Sequence, residues 1–446
     1  MHDDDDFTSE SSLVYRYCDD PPWYLAVVFG LQHLLVTIGG VYLSSLTLSR
    51  SLCADDDDIR VRVELFGNMA FVAGIATVAQ VVLGIRLPIM MAPATGFVLP
   101  IVALTSLGTW ECPNNASDIL KMETFNHTFE NSSVNEDSSV WKTRIRELQG
   151  GVMLASITQV VVGASGLFGF LLPRIRPLTV APTVLFGMVI VWVLCVILTE
   201  TEALPTDTAS PAQYADPAYS EWAHNSKWFH LPYPGQYGTP TVSSVTYAGF
   251  VLSTLVSIVN SLACYHAVAR VTHVPPPPAH AVNRAIIMEG LSGILGGSIT
   301  GLPLTTHPPN IGVIGITQNA SRSVAVVGGL LLCFCGLFSR FSSILAVQPR
   351  PVIGGAILVN ACVIFSSAVA YAADVDLRTP RATTVLGVAV MMGSVLPDWS
   401  ARNSDRLQTG NQQLDSALLA ALSCGPLIGA TVGFLMDLTV PGSYPS

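Results

Sequence analysis

The sequence predicts an all-α polytopic membrane protein built as an inverted-repeat transporter, and three observations carry that expectation. First, half of the 446 residues are hydrophobic and only 12% are charged, against about 25% charged in a soluble domain; the mean hydropathy is +0.51. Second, the apolar residues gather into about twelve runs, most near the ~20 residues a helix needs to cross a bilayer. Third, two runs, one in each half, are interrupted by helix breakers. Leu87–Pro100 holds Pro88, Pro93, Gly96 and Pro100, and Gly301–Gly315 holds Pro303, Pro308, Pro309, Gly312 and Gly315. Irregular backbone at membrane depth is tolerated only when buried in protein or lining a cavity. Paired interrupted spans are the signature of a transporter made of inverted repeats.

The candidate spans, in order, are 23–46, 62–85, 87–109, 149–172, 177–199, 245–271, 285–302, 310–321, 324–345, 351–373, 382–397 and 415–437. Residues 1–20 are a polar, acidic tail with no cleavable signal, since the first apolar run is long enough to span. Most of the 31 acidic residues behind the net charge of −10 lie in this tail, in Asp55–Asp58, and in the loops 111–147 and 200–221. These are solvated segments, and nothing points to nucleic acid. The loop 111–147 carries three glycosylation sequons, at Asn115, Asn126 and Asn131, which place it on the extracellular side. A fourth, at Asn319, is expected to be cytosolic and unused. Arg174 with Arg176, and Arg270 with Arg284, mark two connections as cytoplasmic, in agreement with the sequons. Pro275–Pro278 makes one of these a stiff extended spacer. Of the nine cysteines, most sit in apolar runs as small hydrophobes. Cys53 and Cys112 instead sit in polar loops just beyond spans, where two outward-facing cysteines can pair.

Few residues offer chemistry. Gln32 and His33 lie in the first span, where a polar pair faces the bundle interior, either as a hydrogen-bonded core histidine or as part of a site. Asn260 and Cys264 are four apart and share a helical face; Asn260 is a ligand contact or interhelical glue. Glu289, five residues after Arg284, reads as an interfacial carboxylate. Thr95, Thr305, Thr306 and His307 flank the broken segments, where hydroxyls often back-bond their own helix. A broken helix exposes unpaired N–H groups and its positive end, fit for a polar or anionic solute. No nucleotide-binding loop, metalloprotease helix or serine-hydrolase elbow is present, so no enzyme is expected.

At these residues the chain closely resembles the nucleobase–ascorbate transporter family (solute carrier family 23), above all its animal sodium-dependent vitamin C branch. The family signature, Gln/Glu/Pro-Asn-x-Gly-x4-Thr-Arg/Lys/Gly, reads here Pro309-Asn310-Ile311-Gly312 and Thr317, with Gln318 in the final place. Gln32-His33, Pro21–Leu25, Gly84–Pro88, Arg144–Gly150, Pro275–Pro278 and Val440–Ser443 are similar to the family as well. The resemblance implies an elevator-type carrier of two inverted seven-span repeats, in the plasma membrane and as a homodimer. A core domain would hold the solute between broken spans 87–109 and 303–321, each with a short strand, and slide against a gate. It implies a Cys53–Cys112 disulfide. The candidate substrate contacts are Gln32, His33, Thr95, Phe97, Asn260, Cys264, His307, Pro309, Asn310, Gly312 and Thr317.

The chain also departs from the family. Asn260 and Cys264 stand where the vitamin C transporters have a Glu and an Asp. Losing two carboxylates removes the charge that would hold a cation in low dielectric, so no cofactor is expected and sodium coupling is weakened. Met91, Pro93 and Thr95 replace Gln, Ser and Phe. After Pro177–Thr183 the sequence passes directly to Val191–Cys195, which resembles the end of the seventh span, so about twelve spans remain of fourteen. The expected layout is a tail (1–20), core spans (21–176), a truncated gate segment (177–199), an extracellular loop (200–244), further core spans (245–345) and a second gate segment (346–446). The expected function is membrane transport of a small polar ring, nucleobase or ascorbate-like. The alternatives are an uncoupled facilitator and a non-transporting pseudo-carrier.

Overall fold

The computed structural model describes residues 13–54, 59–94, 97, 101, 140–166, 228–346, 354–355, 358, 379–403, 415, 418–419, 421–422 and 425–440. In chain order the elements are α1 (Trp23–Ser51), α2 (Ile59–Val82), β1 (Met91–Pro93), α3 (Val140–Ser165), α4 (Ser244–Val271), α5 (Ala279–Thr300), β2 (Leu304–Thr306), α6 (Pro309–Thr317), α7 (Arg322–Leu337), α8 (Ser339–Ala346), α9 (Pro380–Arg402) and α10 (Gly425–Thr439). Among the described residues, five helices are long and apolar enough to cross a membrane, or six if the bent pair α7–α8 is one span.

The order helix–helix–strand–helix occurs twice, as α1–α2–β1–α3 and as α4–α5–β2–α7 with α6 inserted. The two strands pair antiparallel, Met91 opposite Thr306 and Pro93 opposite Leu304. Packing is reciprocal: α2 lies on α7, and α5 lies on α3. This is the element order that a chain of two related halves would have. Both crossings are built on glycine. A side chain at Gly74 would meet backbone of α7, and one at Gly290 would stand 2.8 Å from the Val160 nitrogen. Lipid tails are as apolar as leucine, so spanning helices associate through such close packing.

Local sequence explains most boundaries. Pro278 is extended (φ −67°, ψ 154°) and hands the proline spacer to α5, and α5 stops at Gly301 with φ +74°, the left-handed cap that glycine adopts freely. Pro308 and Pro309 open α6, where missing N–H groups cost nothing.

Two expected spans differ. The helix expected from 149 begins at Val140. Its polar first turns are anchored: Arg144 donates to the Cys53 sulfur, and Arg146 donates to the Thr239 carbonyl at 2.7 Å. The span expected over 324–345 is instead two helices bent by 100°. Phe338 breaks it with extended backbone (φ −93°, ψ 94°), and the rings of Phe229, Phe334 and Phe341 pack around Phe338. Most of the expected spans 87–109 and 351–373, and all of 177–199, lie outside the described residues. So do Thr95, Cys112 and the sequons at Asn115, Asn126 and Asn131. Cys53 is disulfide-bonded. Asn319 is 2% exposed and its Oδ1 accepts from the Ser321 amide.

Candidate functional site

The site is built where β1 and β2 meet between α1 and α4. Thr77 of α2 holds β1 by accepting from the Met91 N–H at 2.9 Å. The His307 N–H, just past β2, donates to the Met90 carbonyl at 2.9 Å. The strands thus satisfy part of each other's backbone, as buried irregular chain must.

One junction gathers on Asn310, which is 1% exposed in the first turn of α6. Its Nδ2 donates to Thr37 Oγ1 at 2.7 Å and lies 3.2 Å from His307 Nδ1, and its Oδ1 lies 3.4 Å from His33 Nδ1. The proton positions follow from Thr37. Its hydroxyl donates to the His33 carbonyl at 2.8 Å, so it must accept from the Asn310 amide. The amide oxygen then faces His33, which carries its proton on Nδ1, and the second amide hydrogen faces His307 Nδ1, which accepts. In this network His307 Nδ1 carries no proton. Asn310→Asp, isosteric but without the amide hydrogens, would set an acceptor against the Thr37 and His307 lone pairs. We expect a loss of about 1–3 kcal/mol, read as a lower melting temperature in detergent; an unchanged melting temperature would refute the assigned network.

A second cluster lies under β2. Glu289 is fully buried and accepts four bonds. Gln159 Nε2 (3.1 Å) and Ser261 Oγ (2.8 Å) reach Oε2, while Tyr265 OH and Thr306 Oγ1 (both 2.7 Å) reach Oε1. Tyr265 accepts from Gln80 Nε2 at 2.9 Å, so its own proton points to the carboxylate. Ser257 and Ser261 of α4 each lie 3.0 Å from Thr305 Oγ1. The interfacial reading of Glu289 is therefore corrected. α5 starts at Ala279 and puts Glu289 at mid-helix among donors from α3, α4 and β2. The strand threonines bond across to α4 and α5 rather than back along their own segment.

The remaining predicted residues divide. Gln32 is half-buried beside His33. Asn260 is exposed while Cys264 is 4% exposed, so the expected shared face is split at the edge of the buried side of α4. Phe97 is 2% exposed and its ring packs on Phe250, with centroids 5.6 Å apart. Pro309 is buried and Gly312 half-buried. Thr317 back-bonds to the Val313 carbonyl at 2.8 Å, and Gln318 ends α6 at φ +52°. Sequence reasoning missed Thr37, Ser257, Ser261 and Tyr265. The signal was there as spacing: Thr37 is four from His33, and Ser257, Ser261 and Tyr265 recur every four residues along one face of α4.

Comparison with known proteins places these features in a lineage. The permease family matches residues 25–185 and 176–401. The chain is 32% identical to mouse "Solute carrier family 23 member 1" over 503 aligned positions, covering 97% of this chain and 81% of the relative. It is 32% identical to human "Solute carrier family 23 member 2", covering 97% and 75%. It is 22% identical to "Nucleobase-ascorbate transporter 3" of Arabidopsis thaliana, covering 97% and 85%. A solved structure of the murine Solute Carrier 26 family member A9 anion transporter in the inward-facing state is a distant likeness, with a TM-score of 0.49 and 12% identity over 95% of this chain and 69% of that one.

Proposed function

The chain belongs to the nucleobase–ascorbate transporter family of permeases, multi-pass membrane transporters and not enzymes, and from that premise we propose that it carries a small polar ring solute, nucleobase or ascorbate-like, across the plasma membrane. The solute would sit between the two strand-broken spans, bonded by His33, Thr95, Asn260 and the backbone at Pro309–Gly312. The observation that carries this reading is the Asn310 junction. It fixes a half-helix N-terminus, the first span and both strands around one hydrogen-bonding point. Such a point suits a ring with both donors and acceptors better than a fully charged ion. Movement would be of the elevator kind in a homodimer, with core elements α1–α7 carrying the solute past a gate. The layout 1–20, 21–176, 177–199, 200–244, 245–345 and 346–446 remains our reading of the domains, with the loop 111–147 outside and glycosylated and Cys53 paired to Cys112.

Sodium coupling through positions 260 and 264 is disfavoured, because Asn260 and Cys264 carry no charge. Glu289 is a buried carboxyl near the strands, and four donors already occupy its two oxygens. Two matches to the family meet at 176–185, and the 503 aligned positions exceed the 446-residue chain. An alignment longer than the chain fits the loss of gate spans and supports, as a second reading, a pseudo-carrier that does not transport.

Uptake of radiolabelled ascorbate, uracil and hypoxanthine into cells displaying the chain, with and without sodium, tests this. Sodium-independent uptake of one solute, lost in Asn260→Ala, is the expected result. Uptake that requires sodium would overturn the uncoupled reading. Surface expression with no uptake of any ring solute would establish the second.

A further inference from the structure

A cleft of about 300 Å³ opens where the N-terminal segment meets the ends of α2 and α7, away from the strands. We propose that it binds the headgroup of an aminophospholipid, with the phosphate on Arg86 and Arg322 and the ammonium on Asp20.

Its place in the fold comes first. Tyr17, Cys18 and Asp20 precede α1, Arg86 follows α2, and Arg322 and Ser323 open α7. All are at helix ends that meet at this one cleft. Trp23 and Tyr24, the first residues of α1, are 79% and 53% exposed, and aromatic side chains of this kind settle at headgroup level.

The charges come next. Arg322 is preset: its Nε donates to the Tyr17 carbonyl at 3.3 Å and its guanidinium lies 5.8 Å from the Tyr17 ring centre. The terminal nitrogens have no partner among the described residues and stay available. Arg86 makes no side-chain hydrogen bond or ion pair among the described residues. Its backbone sits at φ +64°, a conformation uncommon outside glycine, and is held there as its N–H donates to the Gln80 carbonyl at 3.4 Å. Two uncompensated guanidiniums on one cleft fit a phosphate. Asp20 lines the same cleft and also lacks a partner among the described residues. A carboxylate would weaken a site for a bare anion. It completes a site for a phosphate that carries a primary ammonium.

The wall decides the source. Val81, Val82 and Val326 form the remaining side, and Val82 is 50% exposed. A soluble phosphoamine would leave that apolar lip unused, whereas a glycerophospholipid lays its acyl end along it. Basic clefts between spans at the membrane face are recurrent headgroup sites. The proposal rests on the chain spanning a membrane and not on its transporting anything.

Cys18 lines the cleft and is exposed, so its alkylation by a maleimide reports occupancy. The full chain in detergent would be labelled with Cys18→Ala as background. Phosphatidylethanolamine, phosphatidylcholine or inorganic phosphate would be added in separate arms. At ten times the half-saturating phosphatidylethanolamine, labelling should slow about tenfold, since only the empty fraction reacts. Phosphatidylcholine has no ammonium N–H for Asp20, and it and phosphate should leave the rate unchanged. Protection should vanish in Arg86→Gln and, should that variant not fold, in Arg322→Gln. Asp20→Asn should abolish the preference between the two lipids. No slowing by phosphatidylethanolamine, or equal slowing by phosphatidylcholine, would overturn the proposal. Protection by inorganic phosphate alone would assign the cleft to a soluble anion and overturn it as well.

Discussion

Glu289→Leu is expected to destabilise the protein by about 2–6 kcal/mol, because at least two of the four buried donors it leaves have no other acceptor, at about 1–3 kcal/mol each. The hydroxyls of Ser261 and Thr306 can turn to other acceptors, but Gln159 Nε2–H cannot become an acceptor and Tyr265 is already accepting from Gln80. The variant also frees Thr306, and with it β2, from the α4–α5 wall. Glu289→Gln should lose less, about 1–3 kcal/mol. Its oxygen can keep Gln159 and Ser261, leaving only its amide facing Tyr265 and Thr306. The check is thermal unfolding of the solubilised chain. The ordering native, Gln, Leu should hold, and a leucine variant as stable as the native chain would mean that the carboxylate is not satisfied by this cage. Uptake, if the chain transports, should fall with β2 in the leucine variant even at a temperature where the protein stays folded.

What the sequence made legible was punctuation. Prolines and glycines are local signals, so the breaks at Pro88–Pro93 and Pro303–Pro309 could be placed, and short strands do occupy 91–93 and 304–306. The polar residues His33 and Asn310 stood out because an apolar chain leaves few of them. What could not be read was partnership. The register of Met91 with Thr306 joins the two halves of the chain, and no local pattern encodes it. Glu289 was misjudged for the same reason. Its distance from Arg284 suggested an interface, but its role depends on Gln159, Ser261 and Tyr265, which lie on other helices. The split between exposed Asn260 and buried Cys264 was also hidden. Four residues on a helix turn about 40° past a full circle, and at the edge of a packed face that suffices to divide a pair.

Gly74→Val should separate α2 from α7 and carry a large packing penalty. A Cβ alone at Gly74 would run into the Gly329 carbonyl and stand 2.6 Å from the Cys333 nitrogen; at Gly336, one turn-pair along, it would meet the Phe71 nitrogen and stand 2.5 Å from the Gly67 carbonyl. The obstacles are backbone atoms, so no rotamer change relieves them, and the helices must move apart. Overpacking typically costs about 1–3 kcal/mol where side chains can yield, and here the upper end or beyond is expected. Gly387→Val in α9 is the control: no atom of the described residues lies within 4 Å of a Cβ there, and stability should be unchanged. If both valine variants melt alike, the close crossing is not what joins these helices. The consequence reaches the site through Thr77, three residues further along α2, whose hydroxyl holds the Met91 N–H. Pushing α2 outward draws Thr77 from β1 and loosens the strand pair that supports Asn310. A partial substitution, Gly74→Ala, should therefore impair solute binding before it unfolds the protein, whereas damage confined to stability would leave the affinity of the folded fraction intact.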